Sequence, residues 1–155
     1  MNPASLVGPI STVGALALDL SGRALIVKTH KWKDTWGVPG GKIEHGERLE
    51  EALTREFLEE TGLVIRDVQF ISVYEAIASE EFYKPDIHML LFNFVCRCDG
   101  GDVTLSDEAQ EYRWVTLDEA FALPLNSFTR ALFHATNQAG YFAHLDAPAA
   151  KKPLP

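Results

Sequence analysis

The stretch Gly41–Leu63 has the sequence GKIEHGERLEEALTREFLEETGL and decides the interpretation of this 155-residue chain. A glycine-rich turn precedes it, and its second half has the composition of a helix that Gly62 ends. Seven of its residues form a pattern of fixed spacing: Gly41, Glu47, Arg55, Glu56, Glu59, Glu60 and Gly62. At ordinary residue frequencies, chance produces this pattern in fewer than about one such chain in a million. The spacing therefore indicates a functional site.

The acidic residues of this stretch fall on one side of a helix predicted over Glu47–Thr61. At about 100° per residue, Glu56, Glu59 and Glu60 lie within an arc of about 100°, beside the start of an apolar face. Glu47, one or two turns earlier, is a fourth candidate. A solvated acidic surface is the alternative, because like charges at these spacings cost only about 0.2–0.5 kcal/mol per pair. The register with the flanking glycines favours a functional cluster.

The order glycine, five residues, glutamate, seven residues and then Arg-Glu resembles the signature of the Nudix hydrolases, and the resemblance extends over most of the chain. It implies an α/β/α sandwich with a mixed central β-sheet, in which the signature forms a loop-helix-loop. It also implies hydrolysis of the pyrophosphate linkage in nucleoside triphosphates or in nucleoside diphosphates joined to another group. Glu56, Glu59 and Glu60 are then metal ligands and catalytic acids, together with a backbone carbonyl of Gly40 or Gly41.

The expected cofactor is Mg²⁺, or Mn²⁺, because oxygen ligands suit these ions better than Zn²⁺. A polyphosphate adds negative charge to an acidic site, so the ions would neutralise both partners and lower the pKa of the attacking water. The Gly-Gly step fits this arrangement, because a backbone oxygen approaches an ion only where side chains are absent. Glu56 and Glu108 both remain candidates for the base that activates water.

Two further charged residues belong to the expected catalytic centre. The resemblance implies that Arg55 orients the glutamates, and a surface ion pair with Glu51 is the alternative. The segment before a predicted Trp-Val strand resembles the family region that supplies one more acid. Glu108 matches that position best, as a metal ligand or base, and Glu111 comes second. Solvated loop acids are the alternative for both.

The substrate contacts are predicted less sharply. The predicted substrate-binding residues are Trp36, Lys33, Lys28 and Asn126, with Trp32 and Lys31 nearby. Tryptophan offers a stacking surface and lysine a charge for phosphate, although core packing and solvated surface explain these residues as well. Asn126 precedes a predicted helix, where a purine-reading role in one branch of the family and a plain helix N-cap fit equally.

The composition indicates one globular domain over residues 1–155, with a flexible lead-in at 1–11 and a flexible tail at 147–155. The chain is 46% hydrophobic and 23% charged, which is typical of a folded domain. Its net charge of −8 disfavours nucleic acid as a partner, because phosphate-backbone binding needs a basic face. We therefore expect a small-molecule nucleotide as the partner.

We also expect a cytoplasmic protein that does not bind membranes. No run of about 18 apolar residues occurs, and Met1–Ile10 has neither the charged head nor the apolar body of a signal peptide. Cys96 and Cys98 alternate along one predicted strand and are too close for an ordinary disulfide, so we expect reduced side chains. Dimers are common in the family, so the resemblance implies a homodimer as an option.

Hydrophobic patterning predicts a mixed α/β chain. Strands are predicted at Thr12–Leu20, Arg23–Thr29, Val64–Glu75, His88–Cys98 and Arg113–Val115, with further helices at Leu117–Phe121 and Ser127–Ala139. The segment His88–Cys98 is apolar on both faces, as in a central strand. Ser21-Gly22 is predicted to turn a hairpin, Val38–Gly41 to form no regular element, and Ala76–Ile87 to be a loop that shapes the substrate site.

Two other functions are compatible with the same fold. A nucleotide sensor would bind without hydrolysis, but a pure binder does not need the complete Arg-Glu-x-x-Glu-Glu set. Ring-opening or isomerising chemistry is the third option, and neither cysteine lies in a turn or loop suited to it. Phosphate release from mixed nucleotides with Mg²⁺ separates the first two.

Overall fold

The structure, a computed structural model, describes residues 8–143. Its strands are β1 Ile10–Leu18, β2 Ala24–Thr29, β3 Thr35–Gly37, β4 Gly40–Lys42, β5 Arg66–Ile77, β6 His88–Arg97 and β7 Ala109–Val115. Its helices are α1 Leu49–Thr61, α2 Leu117–Phe121 and α3 Ser127–Gln138. The strand order is β3-β2-β1-β6-β5, with β4 paired to β1 and β7 paired to β2. The β1–β6 pair is parallel and the remaining strand pairs are antiparallel.

The sheet separates two hydrophobic cores. Leu53 and Phe57 of α1 pack on one face with the even-numbered residues of β6, such as Phe94. Leu132 and Phe133 of α3 pack on the opposite face. A helix on each face of a mixed sheet confirms the predicted α/β fold class. None of the helices described between residues 8 and 143 is long and apolar enough to cross a membrane.

The central position predicted for the His88–Cys98 segment is confirmed, because β6 lies between β1 and β5. Both faces of β6 are covered, which explains its continuous apolar sequence. Cys96 and Cys98 are buried free thiols, as expected. The predicted hairpin also forms: β1 and β2 are antiparallel, with Leu18 opposite Ala24 beside the turn.

One prediction is wrong at the glycine turn. Val38–Gly41 was expected to form no regular element, yet Gly40–Lys42 forms the short strand β4, antiparallel to residues 12–14 of β1. A Cβ atom on Gly40 would collide with the carbonyl oxygen of Val13. The glycine therefore allows the two backbones to approach closely enough to pair, and the turn becomes part of the sheet.

Several element boundaries also differ from the predictions: β7 begins at Ala109 rather than Arg113, and β5 ends at Ile77 rather than Glu75. The signature helix begins at Leu49 rather than Glu47, because Gly46 adopts a φ of 87° and the Glu47 carboxylate accepts a hydrogen bond from the Glu44 backbone at 2.8 Å. These contacts form a turn ahead of the helix. The strand β1 begins at Ile10, inside the predicted lead-in. The predicted tail at 147–155 lies outside the described residues.

Candidate active site

A cavity of about 720 Å³ lies where α1, β4 and the loop before β7 meet. We call it the active-site cavity. The residues predicted as catalytic or metal-binding that line it are Gly40, Gly41, Arg55, Glu56, Glu59, Glu60 and Glu108. These residues come from three separate segments of the chain, and the fold brings all of them to one cavity.

Arg55 lies at the centre of the carboxylates. Its Nε and Nη2 atoms donate to the two oxygens of Glu47 at 2.7 and 2.9 Å, so the pairing is bidentate. Its Nη1 atom donates to Glu56 at 2.9 Å and to Glu59 at 3.2 Å. Glu51, the alternative partner, instead accepts a hydrogen bond from the backbone of Arg48. These contacts leave little of the Arg55 fork for substrate, and the orienting role of Arg55 stays a prediction.

The electrostatics of the Arg55–Glu47 pair follow from this geometry. The Arg55 hydrogen bonds, aided by the Glu44 backbone, lower the pKa of Glu47 to about 2. The same hydrogen bonds, which Arg55 donates to Glu47, raise the pKa of the Arg55 guanidinium above its ordinary value. Both groups are therefore charged across the physiological range. Glu47 does not line the active-site cavity, so its contact with the other carboxylates runs through Arg55.

Gly41 fixes the position of Glu56. A Cβ atom at residue 41 would lie 2.5 Å from the Glu56 Cδ atom, so any larger residue would displace the carboxylate. The Glu56 carboxylate packs directly over the glycine backbone, with only 13% of its side chain exposed. Burial raises the pKa of Glu56, although Arg55 opposes that rise.

Glu60 is the most deeply desolvated of the carboxylates. Its Oε2 atom accepts a hydrogen bond from the Gly40 backbone at 3.1 Å. Burial raises the pKa of Glu60 to about 8, and the charges of Glu56 and Glu108 act in the same direction. Two buried carboxylates side by side are unfavourable while no cation lies between them. The arrangement suits a site in which a cation neutralises these groups.

The last two acids are more exposed. Glu59 has 60% of its side chain exposed and touches Arg55. Glu108 lies across the cavity, where one of its oxygens is 3.2 Å from the Lys31 Nζ atom. Glu111, the second choice for this acid, pairs with Arg113 at 3.6 Å and does not line the cavity. The geometry therefore favours Glu108 over Glu111.

The fold does not bring the predicted substrate-binding residues to the active-site cavity. Trp36 is 3% exposed and belongs to the core on the α3 face of the sheet. The Nζ atom of Lys28 lies 5.9 Å from the Trp36 ring, and Lys33 is exposed; neither lines the cavity. Asn126 caps α3, accepting a hydrogen bond from the Thr129 backbone at 2.9 Å. Its role toward substrate stays a prediction, as do those of the other three residues.

Other residues occupy that part of the cavity instead. Lys31, Trp32 and Phe82 line it. The rings of Trp32 and Phe82 are 4.7 Å apart, and the loop of Phe82 is held by a hydrogen bond from the Tyr83 backbone to the Lys31 carbonyl at 2.8 Å. The sequence shows that the His30–Gly41 stretch contains aromatic and basic residues, but it does not show which of these side chains line the cavity.

A family model described as NUDIX domain matches residues 8–136 of the chain. Among curated proteins, the chain is 35% identical over 100 residues to the nucleoside triphosphatase NudI of Salmonella paratyphi B, a match that covers 61% of this chain and 71% of that protein. The NudI protein of Salmonella newport matches equally well.

Solved structures show the same architecture. The MutT NUDIX hydrolase from Burkholderia pseudomallei superposes with a TM-score of 0.71 at 25% identity, covering 83% of this chain and 98% of that one. The MutT protein from Methanosarcina mazei Go1 gives a TM-score of 0.68 at 28% identity, with coverage of 86% and 97%. The NUDIX domain of Shewanella oneidensis NrtR, solved with ADP ribose, gives 0.74 at 17% identity, with coverage of 90% and 93%, and shows likeness of fold alone.

Proposed function

The chain belongs to the Nudix hydrolase family, and on that premise we propose that it is a Mg²⁺-dependent pyrophosphohydrolase of nucleoside triphosphates or nucleoside diphosphate derivatives. The observation that supports the proposal most strongly is the convergence of Glu56, Glu59, Glu60 and Glu108 on one cavity beside Gly40 and Gly41. The relatives named NudI are nucleoside triphosphatases, which favours triphosphates as the substrates to test first.

The donor chemistry of the site fits Mg²⁺, or Mn²⁺ in its place. The candidate donors are all oxygens: the carboxylates of Glu56, Glu59, Glu60 and Glu108 and the carbonyls of Gly40 and Gly41. Within residues 8–143, no group of three or more His, Cys, Asp and Glu side chains converges tightly enough to hold an ion by itself. Mg²⁺ commonly keeps several waters and binds through one or two carboxylates together with substrate phosphates. An open set of donors is therefore compatible with this ion.

The chain's own residues have distinct roles in the proposed reaction. Bound ions would neutralise the phosphates and lower the pKa of the attacking water. The water oxygen attacks one phosphorus, the bridging P–O bond breaks, and the departing phosphate keeps the electron pair. A carboxylate, Glu56 or Glu108, accepts the proton of the water. Arg55 keeps Glu56 oriented, since its Nη1 atom holds one carboxylate oxygen at 2.9 Å.

Lys31 is proposed to bind a substrate phosphate. The cationic side chains that line the cavity are Lys31, Lys42 and Arg55, and the fork of Arg55 is already bonded to glutamates and to the Lys42 carbonyl. Lys31 has a single carboxylate partner, Glu108, and about half of its side chain is exposed. A polyphosphate entering the cavity can therefore replace Glu108 as its counter-ion.

A substrate panel with Mg²⁺ tests the enzyme proposal. Canonical and oxidised deoxynucleoside triphosphates, nucleotide sugars, ADP-ribose and dinucleoside polyphosphates are incubated with the protein, and products are separated by chromatography. We expect pyrophosphate or nucleotide release that stops with EDTA and returns with Mg²⁺. Saturable binding without turnover of any member would reject the enzyme and favour the sensor. Hydrolysis in ¹⁸O-water then identifies the attacked phosphorus. The cytoplasmic location and the homodimer stay predictions.

A further inference from the structure

A second, smaller cavity of about 50 Å³ lies on the α3 face of the sheet; we call it the inner cavity. Trp32 and Val38 line both cavities, so the two adjoin each other. Phe128 and Leu132 of α3 and Leu91 of β6 supply apolar walls of the inner cavity. It therefore extends the active-site cavity away from the glutamates and toward the core beneath α3.

Asn93 is the polar exception in this wall. It is only 6% exposed and lies in the middle of β6, two residues from Leu91 and from Val95, which is 1% exposed. Among the hydrogen bonds between residues 8 and 143, none involves the Asn93 side chain, although its amide has two donor hydrogens and an acceptor oxygen. The amide atoms of Asn93 do not belong to the fully inaccessible, unpartnered side-chain atoms of residues 8–143, so the amide opens onto the inner cavity that it lines. It is the polar residue in a wall that is otherwise apolar at Leu91, Phe128 and Leu132.

The neighbouring strand β1 places a glycine beside that amide. Gly14 of β1 lies directly opposite Asn93 in the parallel pair and also lines the active-site cavity. A Cβ atom on Gly14 would lie 3.9 Å from the Asn93 Oδ1 atom and 3.2 Å from the Val38 Cγ2 atom. A side chain at residue 14 would thus crowd Val38, which is a wall of both cavities.

The dimensions of the inner cavity restrict what can reach Asn93. Liquid water occupies about 30 Å³ per molecule, so 50 Å³ is far too small for a whole nucleobase. The edge of a planar ring with an exocyclic group would fit, while the ring itself stays in the active-site cavity beside the half-buried Trp32. The paired donor and acceptor of an amide complement the donor–acceptor edge of a nucleobase.

We propose that Asn93 is a specificity-determining residue that hydrogen-bonds the edge of the substrate's nucleobase where the inner cavity adjoins the active-site cavity at Trp32 and Val38. The inference rests on the proposed function in one respect, namely that the ligand is a nucleotide. Asn126 lines the same inner cavity, but its Oδ1 atom is already engaged with the Thr129 backbone. Asn93 has its full hydrogen-bonding capacity available.

Equilibrium binding tests the inference independently of turnover. Calorimetry with Mg²⁺ measures the Kd of the α,β-methylene analogues of the four common deoxynucleoside triphosphates, and of inorganic tripolyphosphate, which has no base. The variants are Asn93→Leu, which is nearly isosteric and restores the apolar row, and Asn93→Asp, which keeps an oxygen acceptor. Asn137→Leu, at an exposed position of α3, is the matched control.

We expect Asn93→Leu to weaken the tightest nucleotide by about tenfold and to bring the four affinities within about threefold of one another. Tripolyphosphate should change by less than about twofold, and Asn137→Leu should match the wild type. An unchanged order of nucleotide affinities in Asn93→Leu, or an equal loss for tripolyphosphate, would overturn the inference. Wild-type selectivity without hydrolysis would reject the enzyme proposal and leave the role of Asn93 standing.

Discussion

The candidate site has a carboxylate half beside the active-site cavity and an aromatic half that spans both cavities, and the two are built in different ways. The carboxylate half, formed by Glu47, Arg55, Glu56, Glu59 and Glu60, comes from one stretch of fourteen residues. The Arg55 guanidinium donates hydrogen bonds to several of its carboxylates. The shortest of these bonds is 2.7 Å, to Glu47, and the longest is 3.2 Å, to Glu59. Each side chain has a partner before any ligand arrives.

The aromatic half, formed by Trp32, Phe82, Asn93 and Phe128, comes from four distant segments. Its rings pack against one another, with the Trp32 centroid 4.7 Å from Phe82 and 5.1 Å from Phe128. Its polar member, Asn93, is left without a partner. The difference teaches that clustered charges need counter-charges held close by, which a helix supplies locally, whereas the aromatic half combines packed rings with one unpaired amide and is assembled by the fold.

The strongest test of the carboxylate half is Glu60→Gln. We expect kcat to fall by about 10³-fold or more, because a neutral amide cannot replace a carboxylate in neutralising a cation. The melting temperature without metal should be unchanged or higher, since Gln is close in shape to the protonated acid. Glu50→Gln, on the exposed face of α1, is the control in the same assay. A large loss of melting temperature without metal would instead place Glu60 in a structural network.

A pH titration of stability tests the same half without turnover. The pKa of Glu60 rises from 4.5 to about 8 on folding, so the folded state binds its proton more tightly than the unfolded state. The tighter proton binding contributes to the free energy of unfolding. This contribution is complete below pH 4.5 and is lost as pH rises toward 8, by on the order of 4 kcal/mol in metal-free protein. Denaturant unfolding with EDTA should show that slope in the wild type. Adding Mg²⁺, or the substitution Glu60→Gln, should reduce this dependence of the unfolding free energy on pH.

Arg55→Lys tests whether the fork itself matters. Lysine keeps the charge but cannot make the bidentate contact to Glu47 while holding Glu56, so we expect kcat to fall by about 10- to 100-fold with a small change in KM. Arg48→Lys, at the exposed helix entrance, serves as the control. Steady-state kinetics on the best substrate of the panel measures both constants. Equal activity of the two variants would show that only charge is required.

Lys31→Met addresses the boundary between the two halves. If Lys31 binds a substrate phosphate, KM should rise by about tenfold while kcat changes little, because binding of ground state and transition state weakens together. Lys33→Met and Lys28→Met change side chains outside the cavity and should leave both constants unchanged. If Lys31→Met lowers kcat alone, Lys31 acts on its partner Glu108 and belongs functionally to the carboxylate half. An effect of Lys33→Met on KM would support the sequence-based prediction that Lys33 binds substrate.

The sequence by itself determined the family, the fold class and the carboxylate half. Residues three or four apart on a helix must share a side, so the register of Glu56, Glu59 and Glu60 was readable without any tertiary information. The central position of β6 was equally readable, because a strand covered on both faces is apolar throughout. Each of these predictions depends on neighbours close along the chain.

Only the tertiary structure decided which residues form the aromatic half. Trp32 and Trp36 are four residues apart in similar sequence, yet one lines the cavity and the other is buried in the core. Lys31 likewise lines the cavity, whereas Lys33 does not. Asn93 lies in an apolar strand, and its position beside Gly14 is known only from the strand pairing. These outcomes depend on pairings between strands far apart in sequence, which local patterns do not encode.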